Sequence, residues 1–157
     1  MTQEPGITIG YAEAVDAQTI CDFNVAMALE TEGKALDKQV VFSGVQRLIA
    51  NPAYGFYAVA RSGEEVVASL MVTTEWSDWR DGIFWWVQSV YVSPDYRRQG
   101  IYRKMYDFVR EAARSNPDIC GFRLYVDGDN VAAQKTYSEL GMTETDYRLY
   151  EELVSRG

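Results

Sequence analysis

Two segments of the chain carry residues whose types and spacing could do chemistry. The first, VYVSPDYRRQGIYRKMY (90–106), has an apolar stretch, a tight turn, two arginines and then Gly100. Backbone N–H groups at the start of a helix are unpaired and lie at the positive end of the helix dipole, so a helix beginning at Gly100 would offer a site for an anion. Taken alone, the pattern also fits an ordinary strand–turn–helix connection with a solvated basic face.

The second segment, DGDNVAAQKTYSELGM (127–142), predicts a short helix with a phenol on one face. Asp129 or Asn130 would cap this helix, and Gly141 would follow its last turn. Tyr137 shares a face with apolar residues of the helix. By itself, a tyrosine in such a place is more often part of a core than a catalyst.

Composition narrows the chemistry that these segments can perform. The chain contains no histidine, which excludes Ser-His and Cys-His nucleophile pairs and histidine zinc sites, and we expect no metal. The formal net charge of -8 argues against nucleic acid as a partner. Six of the 15 basic side chains nevertheless fall in one short stretch: Arg97, Arg98, Arg103, Lys104, Arg110 and Arg114. An acidic protein that gathers its positive charge in this way is expected to bind an anion there.

Hydrophobic periodicity predicts the elements that must position the two segments. In chain order these are strand 7–13, helix 16–28 begun by Asp16, a polar loop or broken helix over 30–38, helix 41–49, strands 55–61 and 65–75 joined at 62–64, strand 83–92, helix 100–114, strand 121–126, helix 131–140 and strand 142–153. The order predicts a single α/β (α+β) domain over residues 1–157, with a mixed sheet flanked by four helices. Strand 83–92 is an almost continuous apolar run, which is typical of a strand in the middle of a sheet.

The cysteines and the apolar segments bear on where the protein works. Cys21 and Cys120 match no metal or redox spacing, so we expect two buried free thiols in a reducing compartment. No signal peptide and no apolar stretch of membrane-spanning length is recognisable. We therefore expect a cytoplasmic protein with no membrane partner.

Together, the two segments resemble the GCN5-related N-acetyltransferase (GNAT) family in order and separation. The pyrophosphate loop of that family, Q/R-x-x-G-x-G/A, is matched by Arg97, Gly100 and, imperfectly, Tyr102. The second family signature is matched by Asn130, Ala133, Tyr137, Gly141 and Met142. The predicted strand order also fits from residue 7 onwards, so the resemblance covers essentially the whole chain.

The resemblance implies a GNAT-like, mostly antiparallel sheet of about six or seven strands that splays between the fourth and fifth. Acetyl-CoA would bind in this gap as the co-substrate, with its pantetheine amides paired to the backbone of Val90 and Val92 and its pyrophosphate held by backbone N–H groups. The cofactor-binding residues implied are Val90, Tyr91, Val92, Arg97, Arg98, Gln99, Gly100, Ile101, Tyr102, Arg103, Asn130 and Tyr137.

The reaction implied is direct attack of an amine on the thioester, with Tyr137 protonating the leaving thiolate. Gln88 stands where many relatives have a glutamate that acts as the general base. The base must then lie elsewhere, or the amine must arrive neutral. Glu75 is the first alternative base, with Glu30, Glu32 and Asp78 behind it.

Carboxylates and tryptophans suggest a cationic acceptor, because aromatic faces and acidic groups together suit an ammonium group. The predicted acceptor-binding residues are Glu30, Glu32, Glu75, Trp76, Asp78, Trp79 and Gln88. Trp85 and Trp86 are better explained as sheet core. A small-molecule primary amine is the preferred acceptor, and a protein or peptide amine is the alternative.

Other interpretations are a non-catalytic acyl-CoA-binding or sensing domain, and a transferase that uses another acyl donor. Relatives pair through the last strand, so a homodimer is also an expectation.

Overall fold

A computed structural model of the chain describes residues 6–156 and places five strands in one sheet. The chain divides into two compact units, Met1–Tyr125 and Val126–Gly157. In the first unit the elements are β1 (Ile7–Tyr11), α1 (Ala17–Glu32), α2 (Lys38–Ala50), β2 (Gly55–Ser62), β3 (Glu65–Ser77), β4 (Gly82–Val92), α3 (Ile101–Arg114) and β5 (Ile119–Leu124). The prediction of a single domain over 1–157 stays a prediction.

The sheet has the strand order β1-β2-β3-β4-β5. Its first four strands are antiparallel neighbours, and β5 pairs parallel to β4. The predicted fold class, a mixed and mostly antiparallel sheet with four helices, is therefore confirmed.

The two faces of the sheet are covered by different helices. Ile20 of α1 and Val45 of α2 pack with Tyr57 on β2 in one buried hydrophobic cluster. Phe56 precedes Tyr57 on the strand and so points to the opposite face, where its ring lies 5.2 Å from that of Trp85. Because both faces are covered, the central strands are buried, as the apolar run of β4 predicts.

Helix α1 is longer than the sequence pattern predicts. Residues 30–38 were expected to be a loop or a broken helix; the helix continues to Glu32 and breaks at Gly33, whose φ of 63° only glycine adopts without strain. Glu30 and Glu32 thus lie in the last helical turn. At the other end, Asp16 does not cap the helix with its side chain, because its carboxylate binds the guanidinium of Arg61 at 2.6 and 3.1 Å.

The second unit contains α4 (Val131–Glu139). As predicted, Asn130 caps this helix, with its Oδ1 accepting a hydrogen bond of 3.1 Å from the N–H of Ala133, and Gly141 follows with φ of 94°. The predicted strand 142–153 is wrong, since these residues form no strand in the described part of the chain. An alternating pattern becomes a strand only when a neighbouring strand pairs with it, and Tyr147 is 75% exposed. The sheet therefore has five strands rather than six or seven.

The two cysteines differ in environment. Cys21 is buried as predicted, and burial raises the pKa of its thiol. Cys120 was expected to be buried but is exposed, because it lies on β5, the outermost strand of the described sheet. Across residues 6–156 no helix combines the length and apolar character that a membrane crossing requires.

Candidate functional site at the open edge of β4

The β4 and β5 strands run together for only part of their length. Their parallel pairing starts at Ile83 opposite Ile119 and ends at Val87 opposite Leu124, yet β4 continues to Val92. The predicted splay between the fourth and fifth strands is confirmed. Within the first unit, residues 88–92 leave β4 with an edge that no β5 residue covers.

A β-bulge lies at the point where the two strands separate. Between two aligned pairs, Met71 with Gln88 and Ser69 with Tyr91, β4 contains one residue more than β3. The extra residue is accommodated by Ser89, whose φ of 51° lies in the left-handed region. Such a bulge turns backbone groups out of the ladder, which makes them available to a ligand.

Backbone direction places the groups of Val92 on the open edge. The N–H of Ser93 donates to the carbonyl of Val67 on β3 at 2.8 Å, so the groups of the preceding residue face away from β3. The carbonyl of Val92 accepts a hydrogen bond of 2.8 Å from Nε of Arg97. One of the two backbone groups predicted to pair with a ligand at Val92 is therefore already bonded within the protein.

The loop after β4 has the geometry of an anion site. Arg98 and Gly100 both adopt left-handed φ values, 62° and 73°, and α3 begins directly afterwards at Ile101. The N-cap residue Gly100 has no side chain, so no side-chain cap forms at the start of α3, where the first N–H groups of a helix point out of its end. A Cβ at Gly100 would meet no described atom within 4 Å, which means that backbone conformation, not crowding, favours glycine here.

Tyr102, the imperfect position of the predicted loop motif, does not disturb this geometry. Its ring stacks on that of Tyr106 one helical turn later, with 6.2 Å between ring centroids. Tyr106 is fully buried and contacts Phe122 of β5. The bulky side chain is thus accommodated along α3.

Glu30, predicted to bind the acceptor, instead contacts residues of the predicted cofactor site. Its carboxylate accepts a hydrogen bond of 2.9 Å from Nη2 of Arg97 and one of 3.3 Å from the hydroxyl of Tyr91. Burial first, and the charge of Glu30 second, raise the pKa of Tyr91, so the hydroxyl stays a donor. Two residues later, Oε2 of Glu32 lies 3.6 Å from Nζ of Lys34 on the surface.

Glu75, the first alternative base, is not brought to the bulge. It pairs with Phe84 in the β3–β4 register, about 16 Å along β4 from Ser89 at roughly 3.3 Å per residue. Its carboxylate forms an ion pair with Arg123, whose guanidinium lies 3.6 Å from the centre of the Phe84 ring. These contacts give Glu75 a structural partner, and its assignment as base stays a prediction without geometric support.

The remaining predicted acceptor residues divide between two places. Trp76 and Trp79 are 61% and 85% exposed, and together with Asp78 they lie at the far end of the β3–β4 hairpin. Trp76 pairs with Ile83, about 20 Å along β4 from the bulge. Gln88 lies at the bulge itself. The structure thus separates the tryptophan turn from Glu30 and Gln88.

Trp85 is buried among aromatic rings of β2 and β5, as the assignment to the core predicts. Trp86 is only half-buried, and its ring lies 4.4 Å from that of Tyr125.

In the second unit, Tyr137 lies on α4 and is half-buried. Burial raises the pKa of its hydroxyl above the ordinary value, so the group keeps its proton. Asn130, predicted to contact the pantetheine arm, uses its side-chain oxygen to cap the same helix.

Sequence reasoning did not single out Ser89, which carries the bulge. The available signal was the pair Gln88-Ser89, two polar residues that interrupt the apolar run IFWWVQSVYV.

The profile of the acetyltransferase (GNAT) family matches residues 22–142, a range that spans both units. The crystal structure of a possible acetyltransferase from Clostridium difficile is 43% identical, with a TM-score of 0.89 over 96% of this chain and 99% of that chain. No curated protein matches the chain.

Two more distant structures share the fold. A predicted acetyltransferase with acetyl-CoA from Clostridium acetobutylicum is 18% identical, with a TM-score of 0.75 over 94% of this chain and 96% of that chain. A GCN5-related N-acetyltransferase from Ralstonia eutropha is 18% identical, with a TM-score of 0.74 over 94% and 99%.

Proposed function

Because the chain belongs to the acetyltransferase (GNAT) family, we propose that it transfers an acetyl group from acetyl-CoA to the primary amine of a small molecule. The observation that carries this proposal is the open edge of β4 over residues 88–92, which leads through a short turn to the uncapped start of α3. An extended amide chain with a diphosphate at one end suits such an arrangement, since the edge offers strand pairing and the helix start binds anions.

The residues that would hold acetyl-CoA are those of this edge and loop. Backbone groups of Val90 and the N–H of Val92 pair with the amides of the pantetheine arm, while the carbonyl of Val92 stays bonded to Arg97. The N–H groups from Arg98 to Arg103 bind the pyrophosphate, and Arg98 and Arg103 add positive charge. The Clostridium acetobutylicum protein, whose structure was solved with acetyl-CoA, supports this choice of co-substrate through its shared fold.

The proposed reaction is a direct transfer within a ternary complex. The amine nitrogen forms a bond to the thioester carbonyl carbon, the carbon–sulfur bond breaks, and the sulfur leaves as a thiolate. Tyr137 donates its proton to the thiolate and is reprotonated from solvent. Burial raises the pKa of Tyr137, so the hydroxyl carries its proton at neutral pH, as the proposed role requires.

Removal of the proton from the amine is assigned neither to Glu75 nor to Glu30. Gln88 has no basic group, Glu75 is paired with Arg123 far from the bulge, and Glu30 is bonded to Arg97. The amine therefore reacts from its neutral fraction and releases its proton to water after attack.

A small acceptor is preferred over a protein. The negative end of the α1 dipole, together with the exposed Glu32 in the last turn, would favour a cationic amine. The Brucella melitensis protein named ribosomal-protein-alanine N-acetyltransferase has a TM-score of 0.75, but its 15% identity supports only a shared fold. Exposed apolar residues of the C-terminal segment, including Tyr150 and Leu153, would support pairing into a homodimer.

The test is release of free thiol from acetyl-CoA in the presence of a panel of small amines and one basic peptide. Amine-dependent release supports the proposal, and release with the peptide alone would move the acceptor to the protein class.

Gln88 favours a second candidate, an acyl-CoA-binding sensor without turnover. Acetyl-CoA binding without release for any amine would establish that alternative instead.

A further inference from the structure

The guanidinium of Arg97 joins two elements, β4 and α1, at the start of the cofactor loop. Its Nε donates to the carbonyl of Val92 at the end of β4, and its Nη2 donates to Glu30 in the last turn of α1, at 2.8 and 2.9 Å. The guanidinium also lies 5.3 Å from the centre of the Tyr91 ring. Two of its N–H donor groups are thus already hydrogen-bonded to other residues of the chain.

Glu30 occupies a position that needs such a partner. A carboxylate in the last turn of a helix faces the negative end of the helix dipole, and α1 has no basic residue in that turn. The pair with Arg97 offsets this repulsion. Each side chain of the pair is 43% exposed, so the contribution is that of a partly solvated ion pair.

A packed pair of aromatic rings holds helix α1 against strand β4. Phe23 and Glu30 lie seven residues apart on one stripe of α1, and both contact Tyr91 on β4. The Phe23 and Tyr91 rings have centroids 5.0 Å apart, and the Tyr91 hydroxyl donates to Glu30. The end of β4 is therefore held to α1 by an aromatic contact, a hydrogen bond and an ion pair.

We propose that Arg97 is a positioning residue and not a ligand of the pyrophosphate: anchored by Glu30, it clamps the end of β4 and the first residue of the cofactor loop onto α1. We call the group Glu30, Tyr91, Val92 and Arg97 the clamp. The clamp presents the N–H groups from Arg98 onward in their binding geometry, which leaves the diphosphate to be bound by backbone and by later basic residues. The inference rests on the proposed function only for the identity of the cofactor.

The test is a double-mutant cycle on acetyl-CoA affinity with Glu30→Gln, Arg97→Gln and the double variant. If the clamp acts as a unit, each single change weakens binding by about three- to fivefold, and the double variant is no weaker than the worse single one. The KM for acetyl-CoA rises while kcat at saturation stays close to wild type. Glu111→Gln breaks an ion pair of 2.8 Å with Arg114 at the far end of α3 and is the matched control, without effect on affinity.

A direct phosphate contact gives a different pattern. Arg97→Gln would then weaken binding far more than Glu30→Gln, the two effects would add, and Glu30→Gln would leave or improve affinity. Arg97→Lys is informative because lysine keeps the charge but cannot donate to both partners in the same geometry. Rescue of affinity by lysine would overturn the clamp.

Amide hydrogen exchange of the cofactor-free protein separates this inference from the proposed function. The clamp predicts faster exchange over residues 93–103 in Glu30→Gln than in Glu111→Gln. Unchanged exchange in that segment would contradict the clamp even if acetyl-CoA binds. If exchange is faster in that variant but the protein does not bind acetyl-CoA, the clamp is supported and acetyl-CoA is rejected as the cofactor.

Discussion

Tyr137 is the residue on which the proposed chemistry most depends. Replacing it with phenylalanine removes the hydroxyl and keeps the ring, so α4 should keep its packing. We expect kcat to fall by about 10²–10⁴, because a positioned acid contributes that much to proton transfer. The measurement is thiol release under saturating acetyl-CoA, with calorimetric affinity as the control. Full activity of Tyr137→Phe would show that another group protonates the thiolate.

The pH dependence of the rate follows from the same residue. Burial raises the pKa of Tyr137 above its ordinary value of 10.0, so the donor form persists as pH rises through the neutral and mildly alkaline range. The neutral fraction of the amine grows over that range. We therefore expect kcat/KM to rise with pH up to the pKa of the amine with no fall below about pH 9.5. A fall near pH 8 would point to a different acid.

Glu75 allows a test of the base assignment at a single residue. Because it lies far from the bulge and pairs with Arg123, we expect Glu75→Gln to retain nearly wild-type kcat. Its pair is partly exposed, so the free energy of unfolding should drop by about 1 kcal/mol or less. Activity and urea denaturation measure the two effects. A loss of rate of about 10²-fold or more would restore Glu75 as the base.

At the scale of elements, the connection between β4 and α3 is the part that the anion site requires. Gly100→Val forces a branched residue into a left-handed conformation, at a cost of about 1–2 kcal/mol, and places carbon where the pyrophosphate is proposed to lie. We expect a large loss of acetyl-CoA affinity by calorimetry. Gly63→Val, with a φ of 62° in the native β2–β3 turn, imposes similar strain without touching the site. Equal affinities of the two variants would reject the loop assignment.

Elements with local signals were predictable from the sequence, and those set by tertiary contacts were not. The start of α3 after Gly100 was predictable because turn and periodicity agree. The end of α1 was missed, since a polar stretch before Gly33 reads as a loop although glycine allows the helix to continue to it. The bulge at Ser89 depends on pairing with β3, and residues 142–153 alternate in sequence without a paired neighbour.

In the candidate site, the residues proposed for the cofactor could be predicted from the sequence more readily than those proposed for the acceptor. Its proposed cofactor half follows one continuous segment, so a motif was enough to propose residues from Arg97 to Arg103, and that assignment stays a prediction. Its acceptor half combines residues distant in sequence, and only the sheet register shows that Trp76 and Gln88 lie far apart.

For the whole molecule, charge distribution and fold point to one ligand. A chain of net charge -8 places Arg97, Arg98, Arg103 and Lys104 beside an open strand edge and the start of a helix. Such an arrangement concentrates attraction for an anion at one place on an otherwise repelling surface.

Calorimetric titration of the purified wild-type protein with acetyl-CoA tests this account most directly. We predict saturable binding of one molecule per chain, weakened by salt because the pyrophosphate is held partly by charge. Absence of binding at millimolar acetyl-CoA would contradict the assignment of the β4 edge and the Gly100 loop as the cofactor site.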